Sequence, residues 1–124
     1  MSGHRVLLDT SVVVDLLAGQ EQITEILQGC DVYISVITRV ELLASFKPTP
    51  ERTAAALAFI ADCKVIQFSQ EVQDAAIVIR RESRLKLPDA IIAASARYLG
   101  LQLITADKKF ARLADELSVL VLER

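Results

Sequence analysis

The chain of 124 residues contains one histidine, two cysteines and no tryptophan, and aromatic residues make up only 5% of it. With His4 alone in a polar N-terminal tip, catalysis by histidine and a His-rich metal site are both excluded. Cys30 and Cys63 form no Cys-x-x-Cys pair and show no framework spacing, which excludes a disulfide scaffold. They read as small buried hydrophobes in a reducing compartment, the cytoplasm. No apolar run approaches a membrane span, and no signal-peptide pattern opens the chain, so no membrane partner is expected. Repeats, low-complexity segments and linkers are absent as well. Any chemistry must run mainly on carboxylates.

What is present fits one globular domain, residues 1–124, with 52% hydrophobic and 24% charged residues. The net charge of −2 argues against a broadly basic nucleic-acid binder. Locally the balance differs. Arg80, Arg81, Arg84 and Lys86 crowd the approach to Asp89, and Lys108 and Lys109 follow Asp107. Taken alone, such clusters read as solvated helix faces.

Strands are expected over residues 5–8, 32–35, 64–68, 102–105 and 119–122. Val6-Leu7-Leu8 does not alternate with polar residues, as befits a strand buried on both faces. Helices are expected over 12–17, 21–27, 36–46, 50–61, 70–84, 89–99 and 108–114. Ser35, Thr49 and Ser69 supply caps, Pro48 breaks the third helix, and Gly100 stops the sixth. The sixth helix is apolar almost all round from Ala90 to Leu99, so it must be buried, and Pro88 suits its first position. The alternation implies a three-layer α/β/α sandwich around a mostly parallel five-stranded sheet, with the first strand central. In such sheets ligands bind beyond the carboxyl ends of the strands.

Four acids can reach that edge. Asp9 follows the first strand and Asp107 the fourth; Glu41 lies on a polar stripe with Thr38 and Ser45, early in the helix after the second strand. Asp89 opens the apolar helix that leads into the fourth strand. Each has a plain alternative: a cap or turn for Asp9 and Asp107, a solvated face for Glu41, a helix-dipole acid for Asp89. Their convergence is what argues for chemistry. Clustered carboxylates repel unless cations neutralise them, and oxygen ligands without His or Cys suit Mg²⁺ or Mn²⁺. Such a site suits phosphodiester hydrolysis, because a divalent ion activates water and stabilises the leaving oxygen. Without the four acids, fourteen basic residues face twelve acidic ones, so the remaining surface tolerates a polyanion. Arg80, Arg81, Arg84, Lys86 and Lys108 are the candidates to hold its phosphates.

The chain resembles a PIN domain from about Val6 to Leu122. The carrying motifs are Leu7-Leu8-Asp9-Thr10-Ser11, Val36-Ile37-Thr38-Arg39-Val40-Glu41-Leu42-Leu43, Asp89-Ala90-Ile91-Ile92-Ala93-Ala94 and Thr105-Ala106-Asp107-Lys108-Lys109-Phe110. The resemblance implies a metal-dependent ribonuclease with an acidic pocket made by Asp9, Glu41, Asp89 and Asp107. Asp9 and Asp89 would be direct ligands, with Ser11 and Thr105 at supporting hydroxyl positions. The last motif commonly carries Asn where this chain has Ala106, a departure that touches one hydrogen bond near Asp107. A PIN domain this short resembles the VapC toxins of type II toxin–antitoxin pairs. That likeness implies an RNA substrate, a homodimer, and a small antitoxin laid across the groove. Residues 36–46 and 54–61 offer a wall for a partner helix, though ordinary core accounts for most of their apolar side chains.

Other classes fit less well. A phosphatase forming an aspartyl-phosphate needs a second Asp two residues after the first, where this chain has Ser11. A phospho-receiver wants an acid after the third strand, where Phe68-Ser69 stand. Two relatives of the main reading remain: an RNA-processing or decay nuclease without an antitoxin, and a PIN fold that binds RNA or protein without cutting.

Overall fold

Five strands form one sheet in the computed structural model of the chain, which describes residues 4–44, 47–115 and 117–123. They are β1 (Arg5–Leu8), β2 (Asp31–Ser35), β3 (Lys64–Ile66), β4 (Gln102–Thr105) and β5 (Val119–Val121), in the order β3-β2-β1-β4-β5. The expected mostly parallel sheet is parallel at every pairing. β1 is central, with Leu7 in register with Tyr33 on one side and Leu103 on the other.

The two-residue period of a strand sends neighbouring side chains to opposite faces. Leu7, Tyr33 and Leu103 join one core with Ile92 and Phe110; Val6, Leu8, Ile34 and Ile104 join a second core with Val12, Val13 and Ile23. This explains why the strands read as unbroken apolar runs rather than alternating ones. Helices α5 (Gln70–Ser83) and α6 (Leu87–Leu99) cover the first face. The second face is covered by α1 (Thr10–Leu17) and α2 (Glu21–Leu27), with Leu42 of α3 (Val36–Leu43) and Phe59 and Ile60 of α4 (Pro50–Asp62) at its margin. The layers are those of an α/β/α sandwich.

Side-chain caps set the starts of α3, α4 and α5. The side chains of Ser35, Thr49 and Ser69 accept from the backbone N–H groups of Ile37, Arg52 and Val72. The differences from expectation lie at element ends. α1 begins at Thr10, two residues early, with the Asp9 carbonyl accepting from the N–H groups of Val12 and Val13. β3 stops at Ile66, and the segment after β4 is a 3₁₀ helix, Lys108–Leu113. α3 ends at Leu43, while Ser45 and Phe46 of the expected 36–46 helix lie outside the described residues.

The turn from α5 to α6 places Asp89. α5 ends on Arg84 in the left-handed conformation (φ 61°), which a non-glycine residue adopts only at some cost. Ser83 supports it: its hydroxyl donates to the carbonyl of Ile79 and accepts from the N–H of Leu85, while Arg112 donates to the Ser83 carbonyl at 2.7 Å. α6 then starts at Leu87, with Pro88 second, and runs buried from Ala90 to Ala96 before Gly100 closes it (φ 66°).

Both cysteines are free and half-buried. Burial, reinforced by the neighbouring Asp62 charge, pushes the Cys63 thiol up to about 11, so it carries almost no thiolate at neutral pH and is inert there. Among the described residues, no helix is long and apolar enough to cross a membrane.

Candidate active site

Asp9 leaves β1 at the centre of the sheet and is 5% exposed. It occupies the N-cap position of α1 but makes no capping bond with its side chain. Instead Oδ2 accepts from Ser11 Oγ at 2.9 Å and Thr105 Oγ1 at 2.7 Å. Two hydroxyls on one oxygen hold the carboxylate in a fixed orientation and compensate part of its burial. The cap reading of Asp9 therefore gives way to a held, inward-facing acid.

Thr105 ends β4 fully buried, and its Oγ1 also accepts from the N–H of Asp107 at 3.0 Å. One hydroxyl thus links the acid after β1 to the backbone of the acid after β4. Thr105→Val keeps the shape but removes both bonds, leaving a buried carboxylate one donor short. It should cost about 1–3 kcal/mol by chemical denaturation. A variant as stable as wild type would show the link to be dispensable.

Glu41 sits in the second turn of α3, which the Ser35 cap starts directly after β2. Thr10 Oγ1 donates to Glu41 Oε1 at 2.7 Å and lies 2.9 Å from Thr38 Oγ1. Thr10 has a single hydroxyl proton, already given to Glu41, so Thr38 is the donor in the second bond. Buried Thr38 thereby holds Thr10, and Thr10 holds the exposed Glu41. Thr10 is absent from the sequence-based set of site residues. Its only signal was its place between Asp9 and Ser11.

Asp89 and Asp107 meet on Lys109. Its Nζ lies 2.6 Å from Asp89 Oδ2 and 3.1 Å from Asp107 Oδ2. The other Asp107 oxygen accepts from the Lys109 N–H at 3.0 Å and so caps the 3₁₀ helix. The cap reading of Asp107 is realised, and the same residue still faces Asp89. Lys109 was expected only as one of two basic residues after Asp107; here it is part of the acid cluster. The hydrogen bond to Asp89 leads the causes that raise its pKa above the ordinary 10.5; partial burial opposes it, and the hydrogen bond to Asp107 and both carboxylate charges add to it. Its contribution to stability is therefore complete at neutral pH and fades only as pH climbs through that raised value.

The basic candidates are more scattered. Arg80 and Arg81 are exposed and line an apolar cavity with Phe68, Ile77 and Leu87. Arg84 lines another hollow with Glu82 and Arg112. Lys86, at the N-cap of α6, and Lys108, directly after Asp107, are exposed and adjoin the acids in the chain.

Thr105 joins Asp9 to Asp107, and Lys109 joins Asp107 to Asp89. Glu41 is tied in through Thr10, the chain neighbour of Asp9. Among the described residues, no three His, Cys, Asp or Glu side chains come close enough to hold a metal ion between them. The donor set nevertheless fits a hard divalent cation. It consists of carboxylate and hydroxyl oxygens, and Mg²⁺ takes only one or two direct carboxylates, completing its shell with water and phosphate. An ammonium between Asp89 and Asp107 marks the same place as one that favours positive charge.

The chain belongs to the PIN domain family, whose model matches residues 6–116. PIN domains are in general nucleases. Within the family the chain is VapC-like. It is similar to a chain of a toxin–antitoxin complex from Klebsiella pneumoniae, with 29% identity and a TM-score of 0.83 over 96% of this chain and 99% of that one. It also matches DNA-bound VapBC from Salmonella typhimurium, with 25% identity and a TM-score of 0.81 over 94% and 97% of the two chains. A third match is VapBC-5 from Mycobacterium tuberculosis, with 26% identity and a TM-score of 0.70 over 97% and 98%. A search of curated protein sequences finds no match.

Proposed function

We propose that this chain is a single PIN domain acting in the cytoplasm as a Mg²⁺-dependent endoribonuclease on structured RNA, with Mn²⁺ as a substitute. Its biological role is that of the toxin in a type II toxin–antitoxin pair. The observation that carries the reading is the linkage of Asp9, Asp107 and Asp89 through Thr105 and Lys109 at the carboxyl edge of a parallel sheet.

Asp9 and Asp89 would hold the ion, and Glu41 and Asp107 would complete the site and orient the attacking water. Asp9 is suited to ligation because Ser11 and Thr105 both act on Oδ2. When bound, the ion supplies Lewis-acid chemistry: it lowers the pKa of water, aligns the attack and stabilises the leaving oxygen. Asp89 sits in the first turn of α6, a helix buried along most of its length, so its carboxylate rides on a rigid mount. Lys86 and Lys108, which adjoin Asp89 and Asp107 in the chain, would receive phosphates, and Arg80, Arg81 and Arg84 would extend the basic surface.

Two partners complete the reading. An antitoxin segment suits the α3–α4 arm, where Val40 and Leu57 stand about half exposed while Thr38 and Ala56 are buried. A second copy of the chain is the other, supported by the exposed Phe68, Ile77 and Leu87. The similar chains of known structure come from toxin–antitoxin complexes.

The test is an RNA cleavage assay with mapped ends, run with Mg²⁺, with Mn²⁺ and in excess EDTA. Internal cuts that appear with metal and vanish with EDTA are expected. Undiminished cleavage in EDTA removes the metal from the mechanism, and binding without cleavage under every metal condition makes the chain a non-catalytic PIN fold.

A further inference from the structure

We infer that Lys109 is an internal counter-ion, seated between Asp89 and Asp107, that a divalent cation must displace before those carboxylates can serve it. The inference rests on the metal-dependent reading above and adds to it the residue that sets how much metal the site requires.

The geometry is specific to this lysine. Its ammonium takes one oxygen from each carboxylate, at 2.6 and 3.1 Å. A divalent ion bound to either oxygen would approach to about 2 Å and stand within a few ångströms of a like charge. Neither ion nor ammonium can keep its full set of contacts while the other is present. Without a cation, two carboxylates facing each other would repel, and the ammonium removes that repulsion.

Lys109 is also built to leave. Its backbone is fixed, because its N–H donates to the capping side chain of Asp107 and the next residue, Phe110, is buried in the core. Its side chain is 35% exposed and ends in a four-carbon stem that can swing outward to solvent. The ammonium lies 5.8 Å from the centre of the Phe110 ring, a weak contact that does not lock it. A fixed base with a long, partly exposed stem lets the paired ammonium act as a displaceable plug.

Mn²⁺ binding to the RNA-free protein, measured by titration calorimetry, tests this without any cleavage readout. Lys109→Met should bind Mn²⁺ roughly tenfold more tightly than wild type, because a competing positive charge is gone. Lys109→Arg, which keeps the charge, should bind close to the wild-type value. Titrating Mg²⁺ into protein labelled at the lysine ε-carbon should move the Lys109 resonance toward that of a free lysine. Equal or weaker Mn²⁺ binding by the Met variant overturns the inference while leaving the metal reading intact. Met and Arg variants that bind alike overturn it too, since charge would then play no part. If none of the proteins binds Mn²⁺, the metal reading itself falls and takes the inference with it.

Discussion

Asp9→Asn and Asp89→Asn should each lower RNA cleavage by at least about a hundredfold while leaving the fold in place. The reasoning differs for the two positions. Asp9 is buried, and two hydroxyls donate to a single oxygen. Asparagine can present its carbonyl oxygen to the same two donors, so the local structure survives. What is lost is the negative charge at the end of the central strand. Asp89 is more open, and its structural partner is Lys109. Its replacement leaves Lys109 paired with Asp107 alone, a small change for a partly solvated ion pair. Both variants should therefore melt close to wild type, and their circular dichroism should be unchanged. Expression of the wild-type chain without an antitoxin should arrest growth, and expression of either variant should not. Full cleavage by either variant would sink the assignment of that acid. Growth arrest that persists in a cleavage-dead variant would separate toxicity from nuclease activity.

Phe110→Ala should cost about 3–5 kcal/mol of stability, the second large effect expected. Phe110 is completely buried and packs in the core that holds α5, α6 and the near face of the sheet. Whole domains are stable by only about 5–15 kcal/mol, so this loss is a large part of the total. The consequence reaches the site. Phe110 lies in the 3₁₀ helix, next to Lys109, and its N–H donates to the Asp107 carbonyl at 3.3 Å. Emptying that pocket loosens the segment carrying both residues. Denaturant unfolding should show the loss directly, and cleavage should fall even where the variant remains folded. Phe110→Leu, which fills more of the space, should fall between the two. A Phe110→Ala protein as stable as wild type would mean that the 3₁₀ segment is not anchored by this ring.

Much of the frame is legible in the sequence. Apolar runs in Val6-Leu7-Leu8 and in α6 announced burial on both faces of a strand and all round a helix. Ser35, Thr49 and Ser69 announced helix starts through hydroxyls that satisfy orphan N–H groups, a local rule that needs no tertiary context. Ends governed by packing were less legible. α1 starts two residues early, on the Asp9 carbonyl, and β3 stops at Ile66 although the apolar pattern continues to Phe68, which is 44% exposed.

The parallel sheet with its central first strand, and the four acids that follow or flank the strands, were legible in the sequence itself, because parallel topology delivers strand ends to one edge. Three-dimensional contact decided what each acid does there. Asp9 reads locally as a cap, and only the approach of Thr105, 96 positions later, turns its side chain to other work. Thr10 and Lys109 lie inside the motifs, but their roles do not follow from them, since a hydroxyl or an ammonium gains its role from what lies within about 3 Å of it. Those neighbours come from β4, α3 and α6. Distances between such elements are set by core packing on both faces of the sheet, which a linear pattern can imply but cannot measure.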